Sequence, residues 1–284
     1  MSEYEKYLKE KNLLVDQSTF MELLAVATAR ELPDGACAFV GTGLPLLSAS
    51  LAKRTTAPDM MIILEAGTVD PDIEHLPVSV ADPRASYRAA TLSTLADAFG
   101  TIACRGYCTV GILGAAECDM YGNLNSTSLG GYWPVAVSET GKGPKARMTG
   151  SGGANNIASL ADKIIVSMVH EKRRFPEHVE YLTSPCGIRG IGSESRFNKG
   201  IFRGGEVCVI SDLAILRSDP ETGILYLSET FPGVTAEQVK ENTGWDLDIS
   251  RAKPFTPPTA KELEILRMKV DPSRMYLGRK SKRK

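Results

Sequence analysis

One stretch narrows what this chain can fold into more than any other: residues 40–67, VGTGLPLLSASLAKRTTAPDMMIILEAG. A short apolar run, 36–40, enters a glycine-spaced loop, Gly41-Thr42-Gly43-Leu44-Pro45. An amphipathic run from Leu46 to about Thr56 follows, then the turn Ala57-Pro58-Asp59. A second apolar run, 60–64, delivers a lone carboxylate, Glu65, ahead of Ala66 and Gly67. Strand, glycine loop, helix, strand is the order of a βαβ unit, whose strands lie parallel because the helix carries the chain back across the sheet. Such folds place their chemistry just past the carboxyl ends of strands. Glu65 stands at one of those ends.

The rest of the chain continues the alternation. Thr19-x-x-Glu22 is a capping box that opens a helix with Phe20, Leu23, Leu24 and Ala27 on its apolar face, and Pro33-Asp34-Gly35 turns it towards the first strand. Residues 68–83, rich in Pro and Asp, read as an irregular loop beside the site, and 90–98 as a helix ending near Gly100. The apolar runs 109–115, 163–169, 207–211, 213–216 and 224–227 predict strands, the last two forming a hairpin through the 218–223 link. Short helices are expected over 235–242 and 259–268, the second opened by the capping box Thr259-x-x-Glu262. The pattern predicts an α/β fold: a mainly parallel, helix-covered sheet with a peripheral β-hairpin near 213–228. No repeat or linker divides the chain, so 1–284 is read as a single domain, its basic end 279–284 as a disordered tail.

A formal net charge of −1 gives no reason to expect nucleic acid or an anionic membrane as partner. No apolar run reaches the ~18 residues of a spanning helix, and residues 1–12 are charged rather than signal-like, so a cytoplasmic location is expected. The pair Cys104 and Cys108 lacks the second pair or the histidines of a zinc site, so the cysteines read as structural thiols and no metal is expected.

Three further motifs stand out. Asp119-Met-Tyr121-Gly122-Asn123-Leu-Asn125-Ser126-Thr127 has the side chains of a tight, self-bonded turn, and its structural reading outweighs a catalytic one. Thr149-Gly150-Ser151-Gly152-Gly153-Ala154-Asn155 sets bare backbone amides ahead of a helical pattern, which suits an anion or an oxyanion, although most such loops are only turns. The run His170-Glu-Lys172-Arg173-Arg174-Phe175 has two readings, a phosphate contact or a salt-bridged strand end; the second is favoured because ordinary surface charge is common. His75 and His178 have no recognisable catalytic partner.

These motifs together resemble the family I CoA-transferases, and among them the B subunits of the glutaconate CoA-transferase type. The family's V-G-x-G-x-P is met by Val40, Gly41, Gly43 and Pro45, and its E-[SN]-G by Glu65 and Gly67, with Ala66 departing from the middle position. The shared D-x-Y-G-N-x-N-S-T-S and T-G-S-G-G-A-N patterns extend the resemblance over nearly the whole chain. The segment 133–145 looks longer than in the glutaconate enzyme and would reshape the acyl pocket.

The resemblance implies CoA transfer between an acyl-CoA and a free, dicarboxylic-type acid. Glu65 attacks the thioester to give an acyl-glutamyl anhydride, and the released thiolate then forms a glutamyl-CoA thioester that the acceptor acid reverses. It assigns oxyanion or substrate-binding roles to Gly152, Gly153, Ala154, Gly41, Thr42, Gly43 and Gly67. It requires no cofactor, since the CoA thioester is a substrate. It also implies an A subunit as partner, whose own G-G-F motif is absent here. Two other readings stay open: an acyl-CoA thioester or ring-opening hydrolase of the same fold, which Asp271-Pro272 after the last helix also resembles, and a non-catalytic acyl-CoA-binding subunit. Retention of E-x-G and of both glycine loops favours transfer.

Overall fold

A computed structural model describes residues 2–15, 17–132, 141–189 and 195–278. The tail 279–284 and most of segment 133–145 lie outside these residues. The chain groups into two compact units, one of residues 1–98 with 256–284 and the other of residues 99–255.

In the first unit, helix α1 (Glu3–Lys11) is opened by a capping box between Ser2 and Glu5 that the sequence reading missed, and α2 (Phe20–Arg30) by the expected Thr19–Glu22 box. Strand β1 (Cys37–Val40), helix α3 (Leu44–Lys53) and strand β2 (Met61–Ile63) form the predicted βαβ unit, with β1 and β2 parallel and Phe39 opposite Ile63. Helix α2 packs on α3, and α3 on β1. Phe39, Leu46, Leu47, Leu51, Ile62, Ile63 and Leu64 are buried, each such side chain worth about 1.5–3 kcal/mol of transfer free energy.

Residues 68–83 are not irregular throughout. Thr68 and Val69 form β3, antiparallel to β2, and β4 (Thr91–Leu92) pairs antiparallel to β3. Two-residue strands carry no periodicity that a sequence reading can detect. The helix expected over 90–98 begins only at Leu95, because Thr91 and Leu92 are drawn into β4, and it passes Gly100 in a wider π turn, Ala98–Ala103. The closing helix Ala260–Ile265, capped by Thr259 and Glu262, runs into a π turn, Leu266–Val270, that packs on α3.

In the second unit the strands are β5 (Val110–Leu113), β6 (Glu117–Cys118), β7 (Leu124–Asn125), β8 (Ser128–Leu129), β9 (Ala146–Arg147), β10 (Lys163–Met168), β11 (Glu206–Ser211), β12 (Ala214–Ser218), β13 (Leu225–Thr230) and β14 (Lys253–Pro254). Strands β5, β10 and β11 are parallel neighbours, and Ile164, Ile165, Val166, Val207, Val209 and Ile210 make them apolar on both faces, as a covered parallel sheet requires. The expected hairpin is β12–β13, antiparallel to each other and placed outside β11. The molecule is α/β, as its alternating sequence pattern predicts.

Candidate active site

The first unit brings five of the candidate residues to one edge of its sheet. Phe39 pairs with Ile63 in the parallel ladder. Gly41 follows the last residue of β1 and Glu65 lies two residues past the end of β2, so both stand in loops at the carboxyl ends of neighbouring parallel strands. Glu65 and Ala66 occupy the tip of the β2–β3 hairpin, closed by the Gly67 amide on Leu64 O (2.9 Å) and the Leu64 amide on Thr68 O (2.9 Å). A turn capped by a positive-φ glycine is a common three-residue hairpin connection.

The glycine of E-x-G is fixed by backbone geometry. Gly67 has φ +103°, and a β-carbon there would stand 2.3 Å from Ser93 O. Ser93 also donates its amide (2.9 Å) and its hydroxyl (2.8 Å) to Gly67 O. No side chain fits in that approach, so Gly67 sets the hairpin tip that presents Glu65.

Glu65 is half-buried and forms no hydrogen bond or ion pair with the described residues. Other buried glutamates differ. Glu22 is held by Arg267 and Arg274 (each 3.0 Å), and Glu117 accepts from Asn125 (2.7 Å) and from the Glu180 amide (3.1 Å). A nucleophilic carboxylate needs an uncommitted lone pair and partial desolvation. Glu65 has both.

The two glycines of the V-G-x-G-x-P loop have different reasons. Gly43 has φ +87° as the N-cap of α3, a region closed to side chains, and Pro45 fits the first turn that follows. Gly41 has no positive φ, and a β-carbon there would meet nothing within 4 Å. Neither the fold of the chain nor its packing demands glycine at that position. Thr42, between them, is half-buried.

Gly152, Gly153 and Ala154 belong to the second unit. Ser126 ties their loop down, its hydroxyl donating to Gly150 O (2.9 Å) and its carbonyl accepting the Gly150 amide (3.1 Å). Gly150 (φ +89°) and Gly152 (φ +48°) bend the chain into the helix Ala154–Leu160. The Ala154 amide is committed to Ser151 O (2.9 Å), whereas those of Gly152 and Gly153 find no acceptor among the described residues. Arg196, wholly buried, holds the other end of this helix through Ala158 O (2.9 Å) and donates also to Pro185 O (3.0 Å) and Cys186 O (2.7 Å).

The Asp119–Thr127 motif is a buried polar scaffold, in line with its structural reading. Asp119 accepts the amides of Tyr121 and Asn123 (both 2.9 Å), and Asn125 accepts those of Thr127 (3.0 Å) and Ser128 (3.3 Å). Burial pushes the Asp119 carboxyl up to about 6, against those amide bonds. The basic run behaves as surface charge: Glu171 pairs with Arg173 (2.6 Å) and Arg174 (3.4 Å). His170 is a core residue, bonded to Ser211 (2.9 Å) and Thr243 (3.1 Å) and stacked on Phe175. Among the described residues no group of His, Cys, Asp and Glu is placed to hold a metal, and no helix is long and apolar enough to cross a membrane. Sequence reasoning passed over Ser93 and Tyr276, which border Gly67 and Gly43 respectively. Only long-range contacts identify either residue.

Comparison with known proteins adds an independent line. The family model described as Coenzyme A transferase matches residues 21–242. The B subunit of glutaconate CoA-transferase from Acidaminococcus fermentans is 37% identical over 263 residues, covering 91% of this chain and 95% of that protein. The B subunit of 3-oxoadipate CoA-transferase from Pseudomonas knackmussii is 36% identical over 247 residues, 87% of this chain and 91% of that protein. The crystal structure of the A. fermentans glutaconate enzyme matches with a TM-score of 0.83 at 36% identity, over 93% of this chain and 99% of that one. The decarboxylase AibA/AibB, at 24% identity and a TM-score of 0.74 over 92% of this chain and 98% of that one, shares the fold.

Proposed function

The chain belongs to the coenzyme A transferase family, and on that premise we propose that it is the nucleophile-bearing subunit of a two-subunit enzyme, with Glu65 as the attacking group. The observation that carries this reading is the placement of Glu65: half-buried, without a hydrogen-bond or ion-pair partner among the described residues, and just past the end of β2, the parallel neighbour of the strand that delivers Gly41, a glycine that neither the fold of the chain nor its packing explains. A missing side chain at Gly41 leaves room for a pantetheine arm or acyl group to approach the carboxylate.

Glu65 adds to the acyl-CoA carbonyl, and the CoA thiolate leaves to give an acyl-glutamyl anhydride. The thiolate returns to the glutamyl carbonyl, releasing the first acid as carboxylate and leaving a glutamyl-CoA thioester. The acceptor carboxylate attacks that thioester, and the same two steps run in reverse. No net proton or redox change is needed. Each addition places charge on a carbonyl oxygen, and the amides of Gly152 and Gly153, which have no acceptor among the described residues, are the donors this reading assigns to it. One such donor is worth about 3–4 kcal/mol. The Ala154 amide is committed to Ser151 O. It therefore helps shape the loop instead of donating to the oxyanion. Gly67 acts by setting the hairpin, and Gly43 by starting α3.

Both relatives are named as B subunits, for glutaconate and for 3-oxoadipate, and both acids are dicarboxylates. A dicarboxylic acyl-CoA and acid pair, a partner A subunit and a cytoplasmic setting complete the reading. Two measurements test it. CoA exchange is followed with and without a carboxylate acceptor, for the chain alone and for the complex that co-purifies with it. Acceptor-dependent exchange by the complex alone is expected. Hydrolysis indifferent to acceptor would establish a thioesterase, and full exchange by the isolated chain would remove the partner.

A further inference from the structure

We propose that Tyr276 is a positioning residue for the acyl-CoA-facing loop Gly41–Pro45, an inference that rests on the assignment of Glu65 above. Tyr276 lies beyond the family match, which ends at residue 242, and in the short segment that follows the closing helix. That segment is built around one carboxylate. Asp271, 1% exposed, accepts the amides of Met275 (2.8 Å), Tyr276 (2.9 Å) and Leu277 (2.9 Å) and the hydroxyl of Ser273 (3.2 Å). Arg274 fastens the same segment to buried Glu22 (3.0 Å) and to Leu277 O (3.1 Å). The backbone of Tyr276 is therefore fixed before its side chain makes a contact.

The side chain, 4% exposed, then joins two loops. Its ring edge lies 3.8 Å from where a β-carbon on Gly43 would stand, and its hydroxyl donates to Pro77 O (2.8 Å). Pro77 belongs to the excursion between β3 and β4. Arg54, the C-cap of α3, holds that excursion at Ile73 O (2.9 Å), while Tyr276 holds it next to Gly43, the N-cap of α3. Residues 73–77 are thus tied at one end by the C-cap of α3 and at the other by the residue that borders its N-cap. The glycine loop that follows β1 is backed by a phenol that is itself anchored twice. A loop with two glycines needs such backing to keep one path for a substrate arm.

The test uses the complex with its partner subunit and the variants Tyr276→Phe and Tyr276→Leu. Phe keeps the ring on Gly43 and removes one hydrogen bond; Leu removes both contacts. For Tyr276→Phe the expected result is a melting profile near wild type, an acyl-CoA KM raised about fivefold, and faster amide exchange at residues 41–45 and 75–79. Tyr276→Leu should raise KM further and exchange more freely in the same two segments. A residue that served stability alone would lower the active fraction, and so kcat, with KM unmoved. That result, or wild-type exchange at 41–45 in both variants, would overturn the proposal. If the wild-type complex shows no transfer dependent on Glu65, the reading of the site fails instead, and the exchange data still judge the clamp.

Discussion

Gly67 and Ser93 meet so closely that a β-carbon on the glycine would lie 2.3 Å from the serine carbonyl oxygen, while both the amide and the hydroxyl of Ser93 bond back to Gly67 O. The contact locks β4 against the hairpin tip that presents Glu65. It turns a two-letter motif, Glu and Gly two apart, into a statement about backbone position.

Gly67→Ala should therefore be felt twice. Its φ of +103° is strained for alanine, and Ser93 must retreat, so stability should fall by more than about 1 kcal/mol. Displacing Glu65 by an ångström should cost transfer a further factor of about 100. Thermal melts and transfer rates on the folded fraction check both; a variant with wild-type rate would show that the tip geometry does not matter.

Gly41→Ala separates the two glycines of the loop. With no positive φ and open space around it, the alanine should leave the melt within about 0.5 kcal/mol of wild type. The methyl group would intrude where the acyl-CoA is placed, so KM for acyl-CoA should rise. An unchanged KM would return Gly41 to the status of an ordinary turn residue.

Much of this was legible in the sequence. The βαβ unit, the β12–β13 hairpin and the Thr19–Glu22 and Thr259–Glu262 boxes follow from local periodicity and side-chain reach, and they form as read. What escaped depends on contacts distant in sequence. Strands β3 and β4 exist because β2 offers them an edge. Glu22 reads as a capping residue, yet its charge belongs to Arg267, 245 positions away. Glu65 and Gly41 were legible as residues of interest; that the strands delivering them are parallel neighbours is set by the β1–β2 register. That Ala154 has its amide committed to Ser151 O, while those of Gly152 and Gly153 have no acceptor among the described residues, could not be read from the letters.

The Glu22 cluster predicts an acid-sensitive first unit. Glu22 and Arg267 are both fully buried. Burial pushes the Glu22 carboxyl up, but hydrogen bonds from Arg267, the Thr19 amide and Arg274 outweigh it and hold it below its ordinary 4.5. A depressed folded-state pKa contributes stability that is complete above about pH 4.5 and lost as pH falls below it. Glu22→Gln should cost about 3–5 kcal/mol at neutral pH, because Arg267 is left buried without its counter-charge. The decline of stability below pH 4.5 should be shallower in the variant. An equally steep acid limb in both proteins would show that Glu22 is not the group responsible.

The central claim is that Glu65 becomes covalently attached to CoA. The complex is incubated with acyl-CoA and no acceptor, treated with borohydride, digested, and its peptides weighed. Reduction expels CoA as its thiol, so the expected result is a Glu65 side chain converted from carboxylate to the corresponding alcohol, a conversion absent from Glu65→Gln while that variant keeps its fold and loses transfer by several orders of magnitude. An alcohol at another carboxylate, or near-normal transfer by Glu65→Gln, would contradict the account.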